Sequence, residues 1–124
     1  MNSRFKFRVW NPDIKSYDDN PQYNVSILID QQEGMILSPF HNNIIEMCTG
    51  LKDKNGNLIY EGDVVYDSVY ENNFVVSWDS DRTGYVLSAN NTNHIDYLSK
   101  ILIERHNLKI VGNIHEQPEQ KDIK

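Results

Sequence analysis

The chain is very poor in cysteine, since Cys48 is the only one among its 124 residues. An intramolecular disulfide and a metal site built from several cysteines are therefore impossible within this chain. A single cysteine makes a reducing, intracellular setting the natural expectation. We interpret Cys48 as a small buried apolar side chain.

Long hydrophobic runs are also lacking. No apolar stretch approaches the roughly 20 residues that a membrane-spanning helix needs. The N-terminal residues alternate charged and aromatic side chains, whereas a signal peptide has a continuous apolar segment. We therefore expect a cytoplasmic protein that does not insert into a membrane.

Basic residues are scarce, with 12 Lys and Arg against 18 Asp and Glu and a net charge of −6. This balance opposes non-specific binding to nucleic-acid phosphates, which depends on many cationic contacts. The exception is the N-terminal run, in which Arg4, Lys6 and Arg8 alternate with Phe5 and Phe7. A strand would place the three cations on one face, which is either a solvated charged face or a nucleic-acid contact surface.

Motifs for catalysis or cofactor binding are missing as well. The four histidines lie far apart and show no HxxxH or HExxH spacing. Gly50, Gly56 and Gly62 are spaced six residues apart, unlike the glycines of a phosphate-binding loop, and they suit turns. We expect no cofactor, no metal ion and no catalytic constellation, so the sequence does not predict an enzyme.

Acidic residues are plentiful in the second half of the chain, and a convergent set could bind a hard cation. Their spacing matches no known metal-binding loop, so we interpret them as turn-forming acids on a solvated rim. The set comprises Glu61, Asp63, Asp67, Asp79 and Asp81.

Short apolar runs separated by turn residues make up the first half of the chain. Strict alternation predicts a strand at 5–10, and β-branched residues predict further strands at 24–30 and 35–37. Residues 14–23 read as a loop with at most a short strand near Tyr17. Residues 41–48 suit either a helix or a strand, and the β-branched pair favours a strand.

The second half continues this pattern. Residues 63–69 and 74–78 predict a hairpin, 85–88 a third strand and 108–115 a closing strand. Between them, Ile95, Leu98, Ile101 and Leu102 recur at helical spacing after a polar stretch that could cap a helix. We therefore predict a helix at 94–105.

The central stretch, residues 48–65, is dense in turn signals. Asp53-Lys54-Asn55-Gly56 predicts a tight primed turn, and Glu61-Gly62-Asp63 predicts a second sharp change of direction. The run that follows is typical of entry into a small SH3-like barrel. We predict a mainly β, antiparallel single domain over 1–124, with an N-terminal β-rich part (1–60), an SH3-like barrel with one short helix (61–118) and a flexible tail (119–124).

Three segments in order, 5–10, 49–65 and 110–119, resemble the YopX family of phage and prophage proteins. The resemblance spans nearly the whole chain. It implies β-rich subdomains that include a small barrel, a bacteriophage or prophage origin, a place in the bacterial host cytoplasm, and a homo-oligomer. It implies no catalytic residues, because the family is uncharacterised.

Three functions follow as hypotheses. The first is a self-assembling, non-catalytic interaction module that binds a phage or host protein; the alternatives are a nucleic-acid-binding barrel and a metal-dependent hydrolase. We expect the turn residues of the central stretch to line a subunit contact or the seam between the two halves. These residues are Gly50, Asp53, Gly56, Tyr60, Glu61, Gly62 and Asp63.

Overall fold

Antiparallel strands dominate the structure, a computed structural model that describes residues 6–19, 25–30, 34–39, 42–89 and 95–116. Eleven strands and one short helix lie in these ranges. They are β1 (Phe7–Asn11), β2 (Ser16–Tyr17), β3 (Val25–Asp30), β4 (Gly34–Pro39), β5 (Ile44–Lys52), β6 (Leu58–Tyr60), β7 (Asp63–Asp67), β8 (Asn72–Asp79), β9 (Gly84–Ser88), β10 (Ile95–Tyr97), α1 (Lys100–His106) and β11 (Lys109–Asn113).

The strands form three sheets. A four-stranded sheet has the order β2-β1-β5-β6, a five-stranded sheet has the order β10-β9-β8-β7-β11, and β3 and β4 pair as a separate hairpin. The five-stranded sheet curls like half of a barrel. The predicted fold class, mainly antiparallel β with one short helix, is confirmed. The SH3-like label stays a prediction, and the predicted tail at 119–124 lies outside the described residues.

Strand β1 forms where the sequence alternates. Val9 and Trp10 are buried, and the strand pairs with β5 so that Arg8 lies opposite Glu46. The strand ends because the Asp13 N–H donates to the Asn11 side chain (2.9 Å), which starts a turn. The predicted strands at 5–10 and 41–48 correspond to β1 (Phe7–Asn11) and β5 (Ile44–Lys52), while residues 5 and 41 lie outside the described residues.

The turn after β5 exists as predicted, but its type differs. The Gly56 N–H donates to the Asp53 carbonyl (3.0 Å), and Gly56 has a φ of 86° while Asn55 keeps a negative φ. The central residues of this turn are Lys54 and Asn55, and neither has a positive φ. A primed turn needs a positive φ at the first central residue or at both. The turn is therefore an unprimed one that is followed by a left-handed glycine, and the prediction of a primed turn was wrong.

The chain passes from the four-stranded to the five-stranded sheet between Tyr60 and Asp63. Gly62, with a φ of 86°, makes this corner. Its N–H donates to the Val76 carbonyl (2.9 Å), and its carbonyl accepts from the Ile114 N–H (2.8 Å). The change of sheet coincides with the predicted 60/61 boundary, although the division into subdomains stays a prediction.

The main core lies between one face of the five-stranded sheet and α1. Apolar side chains alternate along the strands, so that β7, β8 and β9 each contribute to the same face. The buried members are Ile59, Val65, Phe74, Val76, Leu87, Leu98, Ile103 and Leu108.

The predicted helix at 94–105 was wrong at its start. Residues 95–97 form β10, which pairs with β9, and α1 begins only after Ser99, whose hydroxyl accepts from the Leu102 N–H (3.1 Å). An available strand edge on β9 satisfies the backbone of 95–97, so tertiary pairing overrides the helical spacing. The predicted end is confirmed, because Asn107 caps the helix with a left-handed φ of 52°.

The two isoleucines of α1 provide a matched test of this packing. Ile103 is 4% exposed and Ile101 is 63% exposed. We expect Ile103→Ala to lower the free energy of unfolding by about 3 kcal/mol, because it leaves a cavity in the core. Ile101→Ala should change it by less than about 0.5 kcal/mol. Urea denaturation of both variants checks this, and similar losses would contradict the described helix orientation.

Candidate functional site

A buried ionic cluster joins the two larger sheets. Arg8 of β1 lies at its centre: its Nε is 2.8 Å from Glu46 Oε1 and its Nη2 is 2.8 Å from Asp63 Oδ1. The same Nη2 donates to the Glu61 carbonyl (3.2 Å). One guanidinium therefore connects β1, β5 and β7, and we call Arg8, Tyr17, Glu46, Asp63 and His115 the junction cluster.

Glu46 contacts two further members of the junction cluster. Its Oε1 also accepts from the Tyr17 hydroxyl (2.9 Å), and its Oε2 lies 2.7 Å from His115 Nε2. Tyr17 belongs to β2, and His115 follows β11. The Glu46 side chain is 5% exposed, so a single buried carboxylate contacts the first sheet and the segment that follows the last strand.

The two acidic side chains at the corner between β6 and β7 accept hydrogen bonds from nearby backbone N–H groups. Asp63 Oδ2 accepts from the Tyr60 N–H (2.8 Å), and Glu61 Oε1 accepts from the Met47 N–H (2.8 Å). Four of the predicted site residues thus meet at the change of sheet. They are Tyr60, Glu61, Gly62 and Asp63.

Aromatic rings enclose the charged groups. The Arg8 guanidinium carbon lies 4.3 Å from the Tyr17 ring centroid and 4.7 Å from that of Tyr60, which is cation–π distance. His115 stacks on Trp10 with centroids 4.6 Å apart and ring planes at 9°. These contacts restrict Arg8 and His115 to one orientation and keep water away from the carboxylates.

Burial and charge shift the pKa values of the cluster. Burial raises the pKa of Asp63, although the Tyr60 N–H and the Arg8 charge partly oppose it. Burial acts against the charge of Arg8, but attraction from Asp63 and Glu46 outweighs it and raises the Arg8 pKa. Burial also raises the pKa of Tyr17. Because burial outweighs the contacts with Tyr60 and Arg8, the site favours a proton on Asp63 more than water does.

Gly62 is required by the cluster as well as by the corner. A Cβ atom at this position would lie 2.6 Å from Glu46 Oε2, closer than side chains approach in proteins. Its φ of 86° also disfavours any residue with a side chain. Glu46 can reach His115 only because residue 62 is a glycine.

Three predicted residues lie away from the junction cluster. Gly50, with a φ of 83°, lies in the irregular part of the β5–β6 pairing. Asp53 and Gly56 form the turn after β5, where the Asp53 carboxylate accepts N–H groups from Asn55, Asn57 and Ile110, each at 2.9 Å. Asp53 thus connects the end of the first sheet to β11, away from the corner.

Lys6 and Arg8, the two described cations of the N-terminal run, do not share an exposed face. Lys6 is exposed, whereas the Arg8 side chain is 18% exposed and bonded to two carboxylates. Arg4 lies outside the described residues. Sequence reasoning missed Glu46, Tyr17 and His115 as partners; the available signal was a glutamate within the apolar run of β5.

The acidic residues considered for a cation site lie in separate places. Asp67 Oδ2 is 2.7 Å from His106 Nδ1, and Asp79 pairs with Arg82 at 2.6 Å, while Asp63 belongs to the junction cluster. Among the described residues, no three His, Cys, Asp or Glu side chains are grouped so as to hold a metal ion. Within the same ranges, no helix is long and apolar enough to cross a membrane.

Comparison with known proteins agrees with this architecture. A family model described as "YopX protein" matches residues 6–120. The chain belongs to the YopX family. No curated protein sequence matches it.

Two solved structures share the YopX fold with this chain. Protein EF1440 from Enterococcus faecalis is 22% identical with a TM-score of 0.58, and the match covers 89% of this chain and 92% of that one. Protein yopX from Bacillus subtilis is 18% identical with a TM-score of 0.52, covering 96% and 98%. At these identities the likeness concerns the fold.

Gly62 and Gly56 form a matched pair for testing the cluster. Both have a φ of 86°, but a Cβ at residue 56 meets nothing within 4 Å. We expect Gly56→Ala to lower the free energy of unfolding by about 1 kcal/mol through backbone strain. Gly62→Ala should cost about 2 kcal/mol more, because it displaces Glu46 from its buried partners. Equal losses in urea denaturation would show that the Glu46 contacts contribute nothing.

The raised pKa of Asp63 predicts a pH dependence. An unfolded aspartate titrates near pH 3.9, and the folded state binds the proton more tightly. The contribution of Asp63 to the free energy of unfolding is therefore most favourable below about pH 4 and decreases as the pH rises toward the folded-state pKa. Relative to Asp63→Asn, the wild type should lose stability across that window in urea titrations.

Asp79→Asn provides a control of opposite sign. Hydrogen bonding from Arg82 lowers the pKa of Asp79, so the contribution of Asp79 is present above the unfolded-state pKa and is lost as the pH falls. The opposite result would be a free energy of unfolding that rises above about pH 4 in the wild type relative to Asp63→Asn. It would contradict the interpretation that Asp63 is a buried charge that its partners compensate only in part.

Proposed function

We propose that this chain is a non-catalytic interaction module that assembles with copies of itself and binds a phage or host protein. The observation that carries the proposal is a pair of half-exposed aromatic rings beside the β8–β9 turn. Trp78 is 49% exposed and Tyr97 is 56% exposed. Tryptophan and tyrosine are the residues most enriched among those that dominate protein–protein binding energy.

Local contacts hold both rings in place. Trp78 packs edge-on against Tyr85 with centroids 5.1 Å apart. Tyr97 lies over Gly84, where its ring carbons are 3.6 Å from the position of a Cβ atom. The turn itself is ordered by Asp79, which accepts the N–H groups of Asp81 and Arg82. Rings held in this way lose little conformational entropy when a partner covers them.

The contacts in and beside the junction cluster support a structural role, and not a catalytic one, for its carboxylates. Glu46, Glu61 and Asp63 each accept hydrogen bonds from this chain's own backbone or side chains. The hydrolase alternative has less support, because it needs carboxylates that are free to bind a metal ion. Asp63 and Glu46 converge, but both pair with Arg8, while Asp67 pairs with His106 and Asp79 with Arg82.

The nucleic-acid alternative also has less support. It relied on an exposed stripe of Arg4, Lys6 and Arg8, yet Arg8 pairs with buried carboxylates. A net charge of −6 adds a general repulsion toward phosphates.

The proposal retains a bacteriophage or prophage origin and a place in the bacterial host cytoplasm. Membership of the YopX family supports the origin. The single cysteine, Cys48, is buried and unpaired, which suits a reducing compartment.

Size-exclusion chromatography with light scattering tests the assembly. We expect a mass above that of a monomer at tens of micromolar, and a shift toward monomer in Trp78→Ser and Tyr97→Ser. Ile14→Ser removes a similarly exposed apolar side chain, 63% exposed, from the β1–β2 turn of the other sheet, and should leave the mass unchanged. A strictly monomeric wild type would overturn the self-assembly proposal, and unchanged melting temperatures would show that the variants still fold.

A further inference from the structure

An open groove of about 630 Å³ lies between the turn after β5 and helix α1. Its volume falls within the range of roughly 300 to 1,000 Å³ that is usual for binding sites. The groove is separate from the junction cluster. Its lining includes Leu51, Lys52, Lys54, Lys100, Ile103 and Glu104.

The walls of the groove are held by buried hydrogen bonds. The Asp53 carboxylate, from a residue that is 5% exposed, accepts N–H groups from Asn55, Asn57 and Ile110. The Lys54 N–H donates to the Leu108 carbonyl (2.9 Å). On the opposite wall α1 is capped at both ends, so the groove is preformed.

The charge of the groove is opposite to that of the chain. Lys52, Lys54 and Lys100 are all exposed, and one exposed acid, Glu104, lines the groove with them. Asp53 lies beneath the wall with both carboxylate oxygens occupied by N–H donors. In a protein of net charge −6, this cationic site attracts negatively charged groups.

The other features of the groove indicate which class of anionic ligand it suits. Among the residues that the structure describes, no aromatic side chain lines the groove, so a nucleic-acid base would find no ring there to stack on. The N–H groups of Asn55 and Asn57 donate to Asp53 and so do not cradle a phosphate. Leu51, which is half-buried, provides an aliphatic contact in the lining, and the buried Ile103 lies beneath it in the core.

We propose that this groove binds an acidic peptide segment of a protein partner. An aliphatic side chain of the segment packs on Leu51, and flanking carboxylates face Lys52, Lys54 and Lys100. This inference rests on the proposed function, since it names the chemistry of the partner, but it does not require self-assembly.

Selection from a library of mRNA-displayed random dodecapeptides on the immobilised wild-type protein tests the proposal. We expect enriched peptides to carry Asp or Glu on both sides of Leu or Ile. Their affinity, measured by fluorescence anisotropy, should fall about tenfold in the double variant Lys52→Glu/Lys100→Glu and should decrease with added salt. Both lysines are exposed, so this variant should melt at the wild-type temperature.

Lys15→Glu is the control, because it makes the same kind of charge change at an exposed lysine of the β1–β2 turn and should keep wild-type affinity. No enrichment, enrichment of neutral or basic peptides, or equal binding to the double variant would each overturn the proposal. Light scattering separates this result from the proposed function. If the protein self-assembles but binds no acidic peptide, only the inference about the groove is refuted. If the protein is monomeric and binds acidic peptides, only the self-assembly is refuted.

Discussion

The buried Glu46 carboxylate is the constraint on which the rest of the structure depends. A carboxylate removed from water is costly unless cations and hydrogen-bond donors surround it. Arg8, Tyr17 and His115 supply those groups from three separate segments. The same constraint explains Gly62, because any side chain there would displace the carboxylate. The packing of the two sheets against each other thus follows from satisfying one buried charge.

A second buried acid acts in the same way at the other end of β5. Asp53 accepts the Ile110 N–H from β11, while Glu46 contacts His115 just after β11. Strand β5 is therefore connected to the β11 segment at two points, through side chains that are both almost inaccessible to water. Two such connections fix the orientation of one sheet relative to the other, where a single connection would leave a hinge. The groove beside Asp53 and the junction cluster lie at opposite ends of this arrangement.

The charged groups of the junction cluster are directed inward. The acids and the arginine that the sequence offers as reactive groups contribute to the fold of a YopX family member. What faces solvent is different in kind: half-exposed aromatic rings beside the β8–β9 turn and lysines around an aliphatic groove.

Sequence alone determined the local elements: strands β1, β3 and β9 and the presence of a turn at Gly56 follow from alternation, from β-branched residues and from glycine's tolerance of left-handed backbone. Tertiary structure decided the rest. The helix starts late because the edge of β9 pairs with 95–97. Arg8 is sequestered because Glu46, 38 residues away, lies opposite it. Periodicity reports which face of an element is apolar, but a buried ion pair depends on which distant segments meet, and that is settled only when the sheets pack.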